Sequence, residues 1–131
     1  MQRGFYTLFT TASVLILAAA TAARADVTMS SDATQGMSCS NGICQPTASD
    51  AVLNVGDLET LLAAGNVTVT TTGSGVQANN IDVTANLSWS ANGLTLYSWQ
   101  SISVTAPVTV KGKSGLSILT NNGGSGGELA F

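Results

Sequence analysis

An all-β parallel solenoid of two to three coils, with one short helix near its start, is the fold class that the sequence predicts, and three internal echoes predict it. Asn80-Ile81-Asp82-Val83 returns one pass later, from i to i+21, as Ser101-Ile102-Ser103-Val104. Gly93-Leu94-Thr95-Leu96 returns in the same way, from i to i+22, as Gly115-Leu116-Ser117-Ile118. A third thread passes from Leu87 and Trp89 to Val108 and Val110 and on to Leu129 and Phe131, each step again from i to i+21. Self-similarity at a fixed short period marks repeats that stack, because one repeat cannot bury its apolar face alone.

Alternate residues of each pass point inward in an extended chain. The first pass then offers Ile81, Val83, Leu87, Trp89, Leu94 and Leu96, and the second offers Ile102, Val104, Val108, Val110, Leu116 and Ile118. Superposed, every inward position meets an apolar neighbour one coil away, as a stacked-repeat core requires. Turns at Ala91-Asn92-Gly93, at Ala106-Pro107 and from Gly112 to Gly115 separate three short strands per pass. The run Asn121-Asn-Gly-Gly-Ser-Gly-Gly127 breaks the pattern: position 123 should hold an aliphatic residue and holds glycine, so a long turn is expected before Leu129.

The elements ahead of the repeat follow from local chemistry. Arg3, a mostly apolar stretch from Phe5 to Ala20, and the small-x-small triplet Ala23-Arg24-Ala25 predict a secretory signal peptide over residues 1–25, cleaved between Ala25 and Asp26. The strongly apolar part is short for a bilayer span, so no stable membrane anchor is expected after cleavage. Residues 26–50 are expected to form a cap, pinned by a disulfide between Cys39 and Cys44 across an Asn-Gly turn. So short a bridge stabilises by about 2 kcal/mol in the chain-entropy picture. The β-helical segment is expected over 51–131. Within it a helix at about 57–64 is capped by Asp57, carries Leu58, Leu61 and Leu62 on one face, and ends at a left-handed Gly65. Val67 and Val69 then alternate with Thr68 and Thr70 in the first strand, which Gly73-Ser74-Gly75 interrupts.

Charge narrows the function. Loss of the leader removes both arginines and leaves two lysines, Lys111 and Lys113, against seven carboxylates, a balance near −5. Such a chain has no basic stripe for nucleic acid or anionic lipid. With no histidine and two cysteines, no metal site and no cofactor are expected. Asp57 and Glu59 are the only closely spaced acids, and a role at the helix N-terminus suits them. Asp82 stacks on Ser103 and the lysines lie beyond another strand, so a polysaccharide-cleaving site lacks convergent groups and no catalytic residue is assigned.

The order Val52-Leu-Asn-Val-Gly-Asp-Leu-Glu-Thr-Leu-Leu-Ala-Ala-Gly-Asn-Val-Thr-Val69, Asn79-Asn-Ile-Asp-Val83, Leu94-Thr-Leu96, Gln100-Ser-Ile-Ser-Val104 and the closing glycine run resembles the filamentous-haemagglutinin-like β-helical segments of bacterial adhesins. The resemblance spans roughly residues 38–131. It implies a right-handed parallel β-helix at the cell surface or released from it, acting in adhesion, with a host-surface, matrix or glycan ligand. The chain is accordingly expected to be the N-terminal β-helical part of a longer adhesin, continuing into further coils or self-associating through its C-terminal end. An alternative is a glycan- or ice-binding solenoid using outward Thr and Ser. The candidate ligand surface comprises Thr68, Thr70, Tyr97 and Trp99, the last two as an exposed stacking pair or, alternatively, as corner packing.

Overall fold

The computed structural model describes residues 25–131, so the leader expected over residues 1–25 lies, apart from Ala25, outside the described residues. The chain enters on β1 (Asp26–Ser30), turns back through the hairpin β2 (Met37–Ser40) and β3 (Ile43–Pro46), and passes along β4 (Ala51–Asn54) into α1 (Val55–Ala64). It continues through β5 (Val67–Thr70), a small hairpin of β6 (Thr72–Gly73) and β7 (Val76–Gln77), then β8 (Asn80–Val83), β9 (Leu87–Trp89) and β10 (Gly93–Tyr97). A further pass gives β11 (Ile102–Val104), β12 (Val108–Val110) and β13 (Gly115–Leu119), and the chain closes on β14 (Leu129–Ala130).

These strands stack on three faces. The first runs β4-β1-β8-β11-β14, with every neighbouring pair parallel. The second runs β2-β3-β5-β10-β13, parallel except for the β2–β3 hairpin. The third pairs β9 with β12 in parallel, and α1 packs against β9 where a further strand would otherwise lie. The result is a parallel β-solenoid of about four turns.

Alternation decides which atoms go inside. Ala51, Val27, Ile81 and Ile102 form one buried column on the first face, and Leu53, Met29, Val83 and Val104 form the next. Cys44, Val69 and Leu96 stack on the second face, beside Val67 and Leu94. Leu87 and Trp89 complete the third, with Leu58 and Leu62 of α1 buried beneath them. Each buried Val, Leu, Ile or Met among them contributes about 1.5–3 kcal/mol through its removal from water. All six stacked pairs expected from the repeat are in register: Ile81 on Ile102, Val83 on Val104, Leu87 on Val108, Trp89 on Val110, Leu94 on Leu116 and Leu96 on Ile118.

Some details differ from expectation. The solenoid has about four turns, more than two to three, because β1 is an inner strand held by β4 on one side and β8 on the other. Residues 26–30 thus lie within the stack, and the hairpin of β2 and β3 follows them. Leu129 stacks on Ile102 and not on the Val108–Val110 thread, because the glycine run makes the step from Ile102 to Leu129 longer than the step from Ile81 to Ile102. The helix begins at Val55, capped by Asn54, whose Oδ1 accepts the Asp57 N–H at 2.9 Å, and Gly65 is extended at φ −179° instead of left-handed. Of the three helical leucines, Leu58 and Leu62 are buried while Leu61 faces outward.

Candidate functional site

The expected ligand surface is divided between the second face, which holds Thr68, Thr70 and Tyr97, and the corner that follows it, which holds Trp99. Thr68 and Tyr97 lie half-buried on the second face, where Thr68 stacks between Ile43 and Thr95, and Tyr97 between Thr70 and Leu119. Thr70 is buried, and its hydroxyl accepts the Thr72 N–H at 3.2 Å to start the β6–β7 hairpin. Trp99 packs the corner. A Cβ built on Gly123 would stand 2.2 Å from its ring, and one on Gly124 2.5 Å from its carbonyl oxygen, so the glycine run closes over Trp99 because it has no side chains. The Gly124 N–H donates to the Trp99 carbonyl at 3.0 Å, and the Trp99 N–H donates to Thr71 Oγ1 at 2.9 Å. This occupation of the corner by an indole is the reason position 123 holds no aliphatic residue.

The acids are likewise occupied. Asp57 accepts the Thr34 hydroxyl at 2.7 Å, which ties the loop after β1 to the first turn of α1. Glu59 reaches upward, and its carboxylate accepts the Ser88 N–H of β9 at 2.7 Å. Asn92 donates its side-chain N–H to the Leu62 carbonyl at 2.6 Å. The helix thus supplies polar partners to the lower edge of β9, which among the described residues pairs only with β12. A second polar ladder runs up one corner, from Asp26 to Asn80 at 2.9 Å, Asn80 to the Ser101 N–H at 3.1 Å, and Ser101 Oγ to the Glu128 N–H at 3.0 Å. The echo of Asn80 in Ser101, one pass later, is the sequence signal for it. Ala25, at the expected cleavage point, accepts the Asn79 N–H at 2.5 Å immediately before β1 begins. Among the described residues no group of three His, Cys, Asp or Glu side chains could hold a metal ion.

The two ends of the solenoid are unlike. One is closed: Cys39 and Cys44 are bridged as expected, the hairpin they pin turns back on the second face, Gln35 bridges to Val52 along β4, and α1 covers the third face. A hollow of ≈ 380 Å³ remains there between the disulfide hairpin and the last turn of α1. The other end is open. Among the described residues, strands β12, β13 and β14 each pair on one side only. At their inward positions Leu116 and Ile118 are half-buried, and nearby Val110, Leu129 and Phe131 are exposed, Phe131 by 85%. Val104, Pro107, Val108, Leu116 and Phe131 line a concavity of ≈ 410 Å³ in this end. Lys111 and Lys113 occupy the turn between β12 and β13, and Glu128 stands at the entry to β14. Unpaired strand edges flanked by apolar side chains are a template on which another chain can add a strand. No family model, curated protein or solved structure matches this chain.

Proposed function

We propose that the chain is an exported structural and interaction protein of the bacterial exterior, acting in adhesion as a solenoid scaffold and without a catalytic site. The observation that carries this reading is the asymmetry of the ends, one sealed and one presenting three strand edges with an apolar rim. The local disulfide supports an oxidising compartment, where such bridges persist. The resemblance to filamentous-haemagglutinin-like segments points the same way. Further coils or another molecule would cover the open end, while host-surface or glycan ligands would meet the outer faces.

The reading is tested by fractionating cells that express residues 1–131 and measuring the mass of the product. A species beginning at Asp26, oxidised at Cys39 and Cys44 and recovered outside the cytoplasm, is the expected result. A full-length reduced species retained in the cytoplasm contradicts it.

A second reading, a glycan- or ice-binding face, is favoured by one observation: Thr68, Thr95 and Ser117 stand in register on three adjacent strands. Strands lie about 4.8 Å apart, so the hydroxyls form a regular column. Replacing Thr68 and Thr95 together by Val should abolish any such binding while leaving the fold intact, and retained binding would exclude this column as the ligand face.

A further inference from the structure

We propose that the open end is the interface of a symmetric dimer, in which a second copy of this chain stacks head to head so that β13 pairs antiparallel with β13 of the partner. This rests on reading the open end as the interaction surface, but not on export or adhesion.

The geometry follows from the strand lengths. At five residues, β13 is the longest unpaired edge, against three in β12 and two in β14. A two-fold axis through its centre places Ser117 opposite the partner's Ser117, Leu116 opposite the partner's Ile118, and Gly115 opposite the partner's Leu119. Leu116 and Ile118 face inward and are half-buried, so the pairing would complete the apolar column that the last coil leaves open. Leu119, exposed on the outer side, would meet a glycine and find room. The same axis exchanges the other two faces, laying β12 over the partner's β14. All three free edges would then find antiparallel partners at once, in the isologous arrangement that closes on itself.

Charge fits the same operator. The axis carries the turn holding Lys111 and Lys113 over the partner's turn that ends at Glu128, twice per dimer. Head-to-tail stacking has no equivalent match, since the opposite end presents the Gln35 bridge, the hairpin and α1 in place of a ring of free edges.

The test uses protein expressed from residues 1–131, in whatever N-terminal form the cell delivers. Sedimentation over a concentration series should show a monomer–dimer equilibrium with no larger species. Directly opposed antiparallel residues lie about 4.5–5.5 Å apart at Cα, within disulfide reach. Ser117→Cys should therefore give a covalent dimer under mild oxidation, whereas Thr95→Cys, one strand lower on the same face, should give none. Lys113→Glu should weaken dimerisation roughly two- to tenfold, as a pair of rim charges does, and adding Glu128→Lys should restore it. Retention of the far-ultraviolet spectrum identifies variants that fold. A monomer at every concentration, open-ended oligomers, equal crosslinking from Thr95→Cys, or failure of the reversed charges to restore affinity would each overturn the proposal. A dimer formed by a protein found in the cytoplasm would sink the export reading and leave this one standing.

Discussion

Trp99 and the glycines above it show how one side chain can set a stretch of sequence that otherwise reads as filler. The positive φ values of Gly123 (+123°) and Gly126 (+71°) both favour glycine, but only Gly123 also lies against the indole, since nothing stands within 4 Å of a Cβ on Gly126. Gly126→Ala should therefore cost about 1 kcal/mol, from backbone strain alone. Gly123→Ala adds a steric clash and should cost about 2–3 kcal/mol. Urea unfolding of the two variants compares them directly, and tryptophan emission should shift in the folded state of the Gly123 variant only. Asn54 is a second such residue. It caps α1 and donates to the carbonyls of Ser31 and Asp32 at 3.1 and 3.0 Å, binding the loop after β1 to the helix. Asn54→Ala should lose about 1–2 kcal/mol, at the upper end for a cap because those carbonyls lose their partner too.

Among the elements, α1 explains why the third face holds two strands while the other faces hold five. The helix takes the place of a strand below β9 and answers its hydrogen bonds with a side chain, Glu59, in place of a backbone. That arrangement makes a prediction that a surface carboxylate would not. Glu59→Gln keeps an oxygen within reach of the Ser88 N–H and should cost under about 1 kcal/mol, whereas Glu59→Ala leaves a half-buried donor unanswered and should cost about 1–3 kcal/mol. Thermal unfolding of the two variants, read as a difference in Tm, distinguishes this from a charge effect, under which both would fall together. In the sequence Asp57 and Glu59 look like a pair of helix-start acids. Nothing in their spacing reveals that one turns to the loop and the other to β9, because both partners, Thr34 and Ser88, are remote in the chain.

For the whole molecule, stacking is legible wherever two coils have nearly the same length. Ile81 and Ile102, or Leu94 and Leu116, align because the chain between them makes one unadorned pass, and alternation then names the inward face. The register disappears where a pass carries an insertion. Val27 is separated from its partner Ile81 by a disulfide hairpin, a helix and the β6–β7 hairpin, so no local echo could assign β1 to the solenoid. Leu129 leaves its expected thread for the same reason at the other end, where the turn over Trp99 lengthens the pass. The candidate site is legible only in outline. The apolar residues Val110, Leu129 and Phe131 are plain in the sequence, but the free edges beside them, on which the proposed docking rests, depend on which strands have neighbours. Exchange of backbone amides with deuterated solvent, followed peptide by peptide at increasing protein concentration, reads that surface strand by strand. Strands β12, β13 and β14 should gain protection as concentration rises, while β1 and β8, paired on both sides within one molecule, should not change. Exchange in β13 that is independent of concentration would contradict the open end as a docking surface.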